Sequence, residues 1–140
     1  MKPEKPFVRV VAGVAFRDGR FLAALRPEGK PCAGRWEFPG GKVEAGETDE
    51  EALRRELREE LGVEARIGEE IDVRTHEYPE KTVELHFYRI VEWREEPLAI
   101  GVGALRWFAP EEAGDAPFLE GDKEFLAKMK NPSFVRERFS

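Results

Sequence analysis

The chain has 140 residues, 41% of them apolar, which suits one domain with a core that hides roughly two-thirds of the unfolded surface from water. A formal net charge of −6 argues against a protein that coats a nucleic-acid polymer, but leaves room for a small basic site holding a nucleotide. The single cysteine, Cys32, excludes an intrachain disulfide and suits a reducing compartment. No apolar run reaches the ~20 residues that span a bilayer, so a cytoplasmic protein with no membrane partner is expected.

Taken in chain order, residues 7–16 form a β-branched apolar run, and Asp18-Gly19 behind it is a hairpin signal returning the chain through a strand over 21–25. Residues 26–35 carry Pro27, Gly29, Pro31 and Gly34 and read as a loop, with Cys32 expected as a small, partly buried residue in it. A tight turn follows at Phe38-Pro39-Gly40-Gly41-Lys42, where two glycines let backbone approach a ligand closely. Thr48 and Glu51 have the spacing of a capping box, and Ala52, Leu53, Leu57 and Leu61 form an apolar stripe. Gly62 is placed as a C-cap, so a helix is predicted over 48–61. Residues 64–74 read as extended, 82–93 as an alternating strand and 104–108 as a short strand. A turn or short helix begins at Pro110, an amphipathic helix covers 122–130, and residues 131–140 form a polar tail expected to be poorly ordered. Strands, helix, strands and helix in that order suit an α/β sandwich built as a single domain over 1–140, with its core at about 6–130.

The helix carries the most chemistry. Glu56, Glu59 and Glu60 stand at i, i+3 and i+4, so all three carboxylates fall on one helical face, where like charges repel by a few tenths of a kcal/mol per pair. A divalent cation reverses that penalty, because hard ions such as Mg²⁺ bind a few carboxylates together with substrate phosphates. Arg54, Arg55 and Arg58 offer the plainer account of a solvated, ion-paired face. The glycine turn and Lys42 directly upstream favour the metal platform, since they add close backbone approach and a cation for phosphate.

The run GKVEAGETDEEALRRELREELGV over 41–63, from Gly41 through Glu47, Arg55-Glu56-Leu57 and Glu59-Glu60 to Gly62, resembles the complete Nudix box. With Trp36-Glu37-Phe38-Pro39-Gly40 before it, the chain resembles the MutT-like branch of that family. The resemblance implies the Nudix fold, an α/β/α sandwich with a mixed sheet, and Mg²⁺-dependent hydrolysis of a nucleoside diphosphate linked to a further group, with Mn²⁺ able to substitute. It implies Glu56, Glu59 and Glu60 as metal ligands, joined by the carbonyl of Gly40, with one of these glutamates taking the proton of the attacking water. Glu47 and Arg55 match the pair that orients loop and helix. Arg26 and Lys42 are candidates for the substrate phosphates, Arg26 having a solvated loop arginine as its plainer account. A homodimer is a family-level expectation.

One departure stands out. No carboxylate or imidazole lies between Pro97 and Trp107, where MutT-like proteins often carry one, and Glu77, Glu80 and Glu96 are the possible substitutes. Trp36, Phe38, Tyr78, Phe87 and Phe118 offer aromatic faces for a nucleobase, although each is more often core. Asp122 falls where this branch reads the base edge, and an Asp there is equally a good helix N-cap. When ionised it only accepts hydrogen bonds, favouring the N–H donors of cytosine, adenine and 8-oxoguanine. His86, on an alternating strand, is expected to be structural, and His76 exposed; neither has metal-ligand spacing to a second His or Cys. The expected activity is cleavage of a nucleoside triphosphate to monophosphate and pyrophosphate, with 8-oxo-dGTP first and CTP or dCTP next. A nucleotide-sensing domain without catalysis is the rival from another class.

Overall fold

The computed structural model of the chain describes residues 5–139. Strand β1 (Phe7–Val14) runs nearly into β2 (Phe16–Arg17), and Asp18 and Gly19, both at positive φ (53° and 77°), turn the chain into β3 (Arg20–Leu25). Two successive left-handed residues are what a two-residue hairpin needs to match strand twist. After the loop come β4 (Trp36–Glu37), β5 (Gly40–Lys42) and helix α1 (Asp49–Leu61), then the long strands β6 (Ala65–Glu77) and β7 (Thr82–Trp93), and β8 (Ala104–Phe108). Two short 3-10 turns at 113–115 and 120–122 precede α2 (Lys123–Met129) and α3 (Pro132–Phe139).

The strands form two sheets. In the first, the order is β5-β1-β7-β6, with β1 and β7 parallel and the outer pairs antiparallel, which is the mixed sheet the resemblance implied. In the second, β3 pairs antiparallel with β2, β4 and β8. The mixed sheet is covered on both faces. Ala12, Val14, Leu85 and Phe87 join Phe125, Leu126 and Met129 of α2 in one cluster, while Val11 and Ile90 join Ala52, Leu53, Leu57 and Leu61 of α1 in the other. Burial on both faces explains why β1 reads as an unbroken apolar run. Each leucine of the α1 stripe buries fully, an amount that stabilises by about 1.5–3 kcal/mol.

Helix α1 has both predicted caps: Thr48 and Glu51 exchange side-chain and backbone hydrogen bonds, and Gly62 is left-handed with its N–H donating to Arg58. The tail departs from expectation. Residues 132–139 are helical, and Phe134, Val135 and Phe139 pack against the core cluster that holds α2. Apolar residues at 134, 135 and 139 have i, i+1, i+5 spacing, a weak period that the flanking charges hide in sequence. Cys32 also departs, lying exposed in its loop at φ 61°. Among the described residues, no helix is long and apolar enough to cross a membrane.

Candidate active site

A cleft of about 630 Å³ opens between the glycine turn, the C-terminal half of α1, the loop after β3 and the start of α2. Its floor is made possible by Gly40 and Gly41. A Cβ on Gly40 would stand 1.9 Å from the Val11 carbonyl oxygen, and one on Gly41 would stand 2.5 Å from the Glu56 carboxyl carbon. Any larger residue would push the turn off β1 or the carboxylate out of the cleft. The Pro39 carbonyl accepts from the Gly13 N–H at 2.7 Å, fixing the turn to the sheet.

Arg55 ties this turn to the helix. It grips Glu47 with both ends of its guanidinium (Nε to Oε2 2.7 Å, Nη2 to Oε1 2.9 Å), donates to the Lys42 carbonyl at 3.1 Å, and reaches Glu56 at 2.8 Å and Glu59 at 3.5 Å. Its hydrogen bonds, with a further one from the Glu44 N–H, hold the Glu47 carboxyl down at about 2. Glu56, Glu59 and Glu60 all line the cleft, Glu59 at its exposed edge and the other two half-buried. Burial pushes the Glu60 carboxyl well up, with further push from the neighbouring charges of Glu56 and Glu37, against a backbone hydrogen bond from Gly40.

Glu37 stands in the run just before the box and is a site residue for which the sequence suggested no role. Its carboxyl lines the cleft, is raised by burial and is held by Arg26 at 2.8 Å. Its position on a two-residue strand beside a tryptophan carried no signal of this. Arg26 is thus engaged by Glu37, and by the Pro31 carbonyl at 2.7 Å. Lys42 lies exposed on the rim, joined by Lys30 and Lys81.

Asp122 is buried and caps nothing: its backbone is helical, no side-chain cap bond forms, and its Oδ2 instead accepts the Phe38 N–H at 3.3 Å across 84 positions of sequence. Burial, aided by the charge of Glu37, pushes its carboxyl up to about 8. The shift favours the neutral carboxyl near neutral pH, a form able to donate as well as accept. The ring of Phe38 stacks on Phe21 at 5.1 Å and is 2% exposed, so what Phe38 presents here is its backbone. Phe87 and Phe118 are equally buried, and Trp36 sets its edge on Phe108. Tyr78 lines the cleft, its ring edge-on to His76, so His76 is a wall residue rather than an exposed one. Of the acidic substitutes, Glu96 is gripped by Arg17 and Glu77 by Lys5 and Thr82, while Glu80 lines the cleft.

A second acidic group lies outside the cleft. Asp49, Glu70 and His86 each bring a ligand atom within 4.8 Å of the others, a candidate divalent-cation group that sequence spacing missed because it joins the first residue of α1 to β6 and β7. Eleven helical steps, about 16 Å of axis, separate Asp49 from Glu60. Arg9 grips Asp49 in a bidentate pair at 2.7 Å, Tyr88 donates to it at 2.6 Å, and His86 sits between Glu84 and Glu70 at 2.5 and 3.2 Å.

The NUDIX domain model matches residues 6–129, nearly the whole described chain. The chain belongs to the Nudix family. Among Nudix relatives, a CTP pyrophosphohydrolase of Escherichia coli is 42% identical over 85% of this chain and 88% of its own length. An 8-oxo-dGTP diphosphatase of Haemophilus influenzae is 43% identical over 67% of this chain and 70% of its own. The solution structure of the E. coli ORF135 protein superimposes with a TM-score of 0.79 at 37% identity, covering 94% of this chain and 92% of that one. The chain is a MutT-like Nudix hydrolase, and its box residues 41–63 fall on the turn and helix that floor the cleft.

Proposed function

We propose that this Nudix hydrolase is a Mg²⁺-dependent pyrophosphohydrolase that cleaves a nucleoside triphosphate to the monophosphate and pyrophosphate. The observation that carries the reading is Glu60: a carboxyl buried against two other carboxyls, with no Lys or Arg paired to it among the described residues. Such a donor set fits a hard divalent cation, whose charge would relieve the repulsion among the carboxylates. Glu56, Glu59 and Glu60, with the Gly40 carbonyl, would hold that ion. When bound, it neutralises charge on the phosphate oxygens. Arg55 and Glu47 keep the carboxylates aimed, Lys42 on the rim meets phosphate, and one carboxylate of the group receives the proton of the attacking water.

Asp122 bears on the base. A neutral carboxyl offers one O–H donor and one carbonyl acceptor. The O6/N7–H edge of 8-oxoguanine and the N3/N4 edge of cytosine each present an acceptor beside a donor, whereas the N7/O6 edge of guanine presents acceptors alone. The names of the two relatives point to those same two bases. Our first substrate is 8-oxo-dGTP, with CTP or dCTP second. Pyrophosphate release from 8-oxo-dGTP, dGTP, CTP and dCTP tests this: rapid release from one, abolished by EDTA, is expected. Tight nucleotide binding without release would instead favour a sensor.

A further inference from the structure

Segment 97–103 lies where MutT-like proteins often carry a carboxylate, and it holds none. It has backbone there instead. The N–H groups of Ile100 and Gly101 both donate to the Glu60 carbonyl at 3.0 Å, and the Leu98 N–H donates to the Leu61 carbonyl at 3.1 Å. These carbonyls belong to the last turn of α1, where no intrahelical donor is available. At its other end, the Gly103 N–H donates to the Leu25 carbonyl at 2.8 Å, one residue before the arginine that holds Glu37. The segment thus spans the cleft wall between the two sources of carboxylate. Of its side chains, Val102 packs on the cluster that holds the α1 leucines, while those of Leu98 and Ile100 are mostly exposed.

Gly101 is the point of closest approach. A Cβ there would stand 3.0 Å from the Glu59 carbonyl oxygen and 3.2 Å from the Glu60 Cα. Both neighbours are helix backbone, so relief separates the segment from the last turn of α1 and weakens the hydrogen bonds that hold the Glu60 and Leu61 carbonyls. Glu59 and Glu60 lose that support.

We infer that segment 98–103 is a backbone strap that sets Glu59 and Glu60 against Glu37 and Arg26, with Gly101 as its positioning residue. The inference rests on the proposed role of the box glutamates as metal ligands. Reacting groups misplaced by about 1 Å lose as much as ~100-fold in rate. A shift of a few tenths of an ångström in Gly101→Ala is therefore expected to lower kcat by about tenfold and to raise the half-saturating Mg²⁺ concentration more than about threefold, with KM for nucleotide nearly unchanged. Phe134→Ala on α3, assayed well below its Tm, is the control for lost stability: it lowers Tm and leaves the Mg²⁺ half-saturation where it was.

Wild-type kcat and Mg²⁺ half-saturation in Gly101→Ala would overturn the strap. So would a Phe134→Ala variant that shifts Mg²⁺ dependence as Gly101→Ala does. Should wild-type turnover survive EDTA and Glu59→Gln leave it intact, the metal reading itself falls, which separates the two failures. A Mg²⁺ titration of the wild-type protein followed on amide resonances needs no variant. The Ile100 and Gly101 amides should move with the same half-saturation as those of Glu59 and Glu60. Amides at 100 and 101 that stay still while those at 59 and 60 move would overturn the proposal.

Discussion

Two acidic clusters flank helix α1, built from similar residues and left in opposite electrical states. At the N-terminal end, Asp49, Glu70 and Glu84 meet Arg9, Tyr88 and His86, and Asp49 is held down at about 2 by the guanidinium it grips. At the C-terminal end, Glu56, Glu60, Glu37 and Asp122 share only Arg55 and Arg26 among the described residues, and three of the four carboxyls are pushed up. The first cluster is compensated from within the chain and contributes to holding α1 on β1 and β7. The second is short of positive charge, a state that costs stability and that a cation would relieve. An acidic cluster indicates a ligand by its deficit, not by its count of carboxylates.

The largest expected effect breaks this comparison at the deficient end. Glu60→Gln and Glu56→Gln should each lose about 100-fold or more of turnover, the scale of removing one preorganised electrostatic group, while in Glu60→Gln Tm holds or rises because a repulsion is gone. A fall in Tm with turnover retained would assign the cluster to stability instead. Arg55→Ala should come next, losing about 10–100-fold of turnover, as expected when a group that aims metal ligands is removed.

Asp49→Asn sharpens the other end. Turnover should stay within a few-fold, while stability falls by about 1–2 kcal/mol, since Asp49 keeps its helix position but loses charge-assisted bonds to a partly exposed arginine. Thermal melts read this directly. Unchanged Tm combined with lost turnover would move the catalytic metal to the Asp49, Glu70 and His86 group.

Asp122 gives a pH signature. Its carboxyl is raised to about 8 in the folded chain, so between the ordinary carboxyl range and pH 8 the folded state holds a proton that the unfolded state has released. The stability this proton contributes is full at acid pH and is lost as pH rises through 8. Tm should therefore fall from pH 6 to pH 9, and Asp122→Asn, which keeps an acceptor for the Phe38 N–H but cannot ionise, should flatten that fall. An unaltered slope would mean that Asp122 does not titrate there. The smallest effect is expected at the exposed Arg17–Glu96 pair, where Glu96→Ala should leave Tm unchanged within the error of a thermal melt.

Much of the frame was legible in order of residues, and for local reasons. The capping box at Thr48 and Glu51, the stripe on α1 and the left-handed Gly62 depend on neighbours within one or two turns, so spacing alone specifies them. The same holds for the Asp18-Gly19 hairpin. The tail helix over 132–139 was missed because its packing partner, the cluster around Phe125, lies outside its own period.

The alignment of Glu56, Glu59 and Glu60 on one face, and the likeness of residues 41–63 to the Nudix box, came from sequence by itself, because helical geometry is a function of spacing. Tertiary structure alone decided which carboxylates are in deficit. Arg9 reaches Asp49 across 40 positions, Asp122 meets the Phe38 N–H across 84, and Glu37 joins Glu60 through the pairing of β4 with β3 and of β5 with β1. Charge compensation and burial depend on distances in space, and those distances do not exist until the sheet has closed.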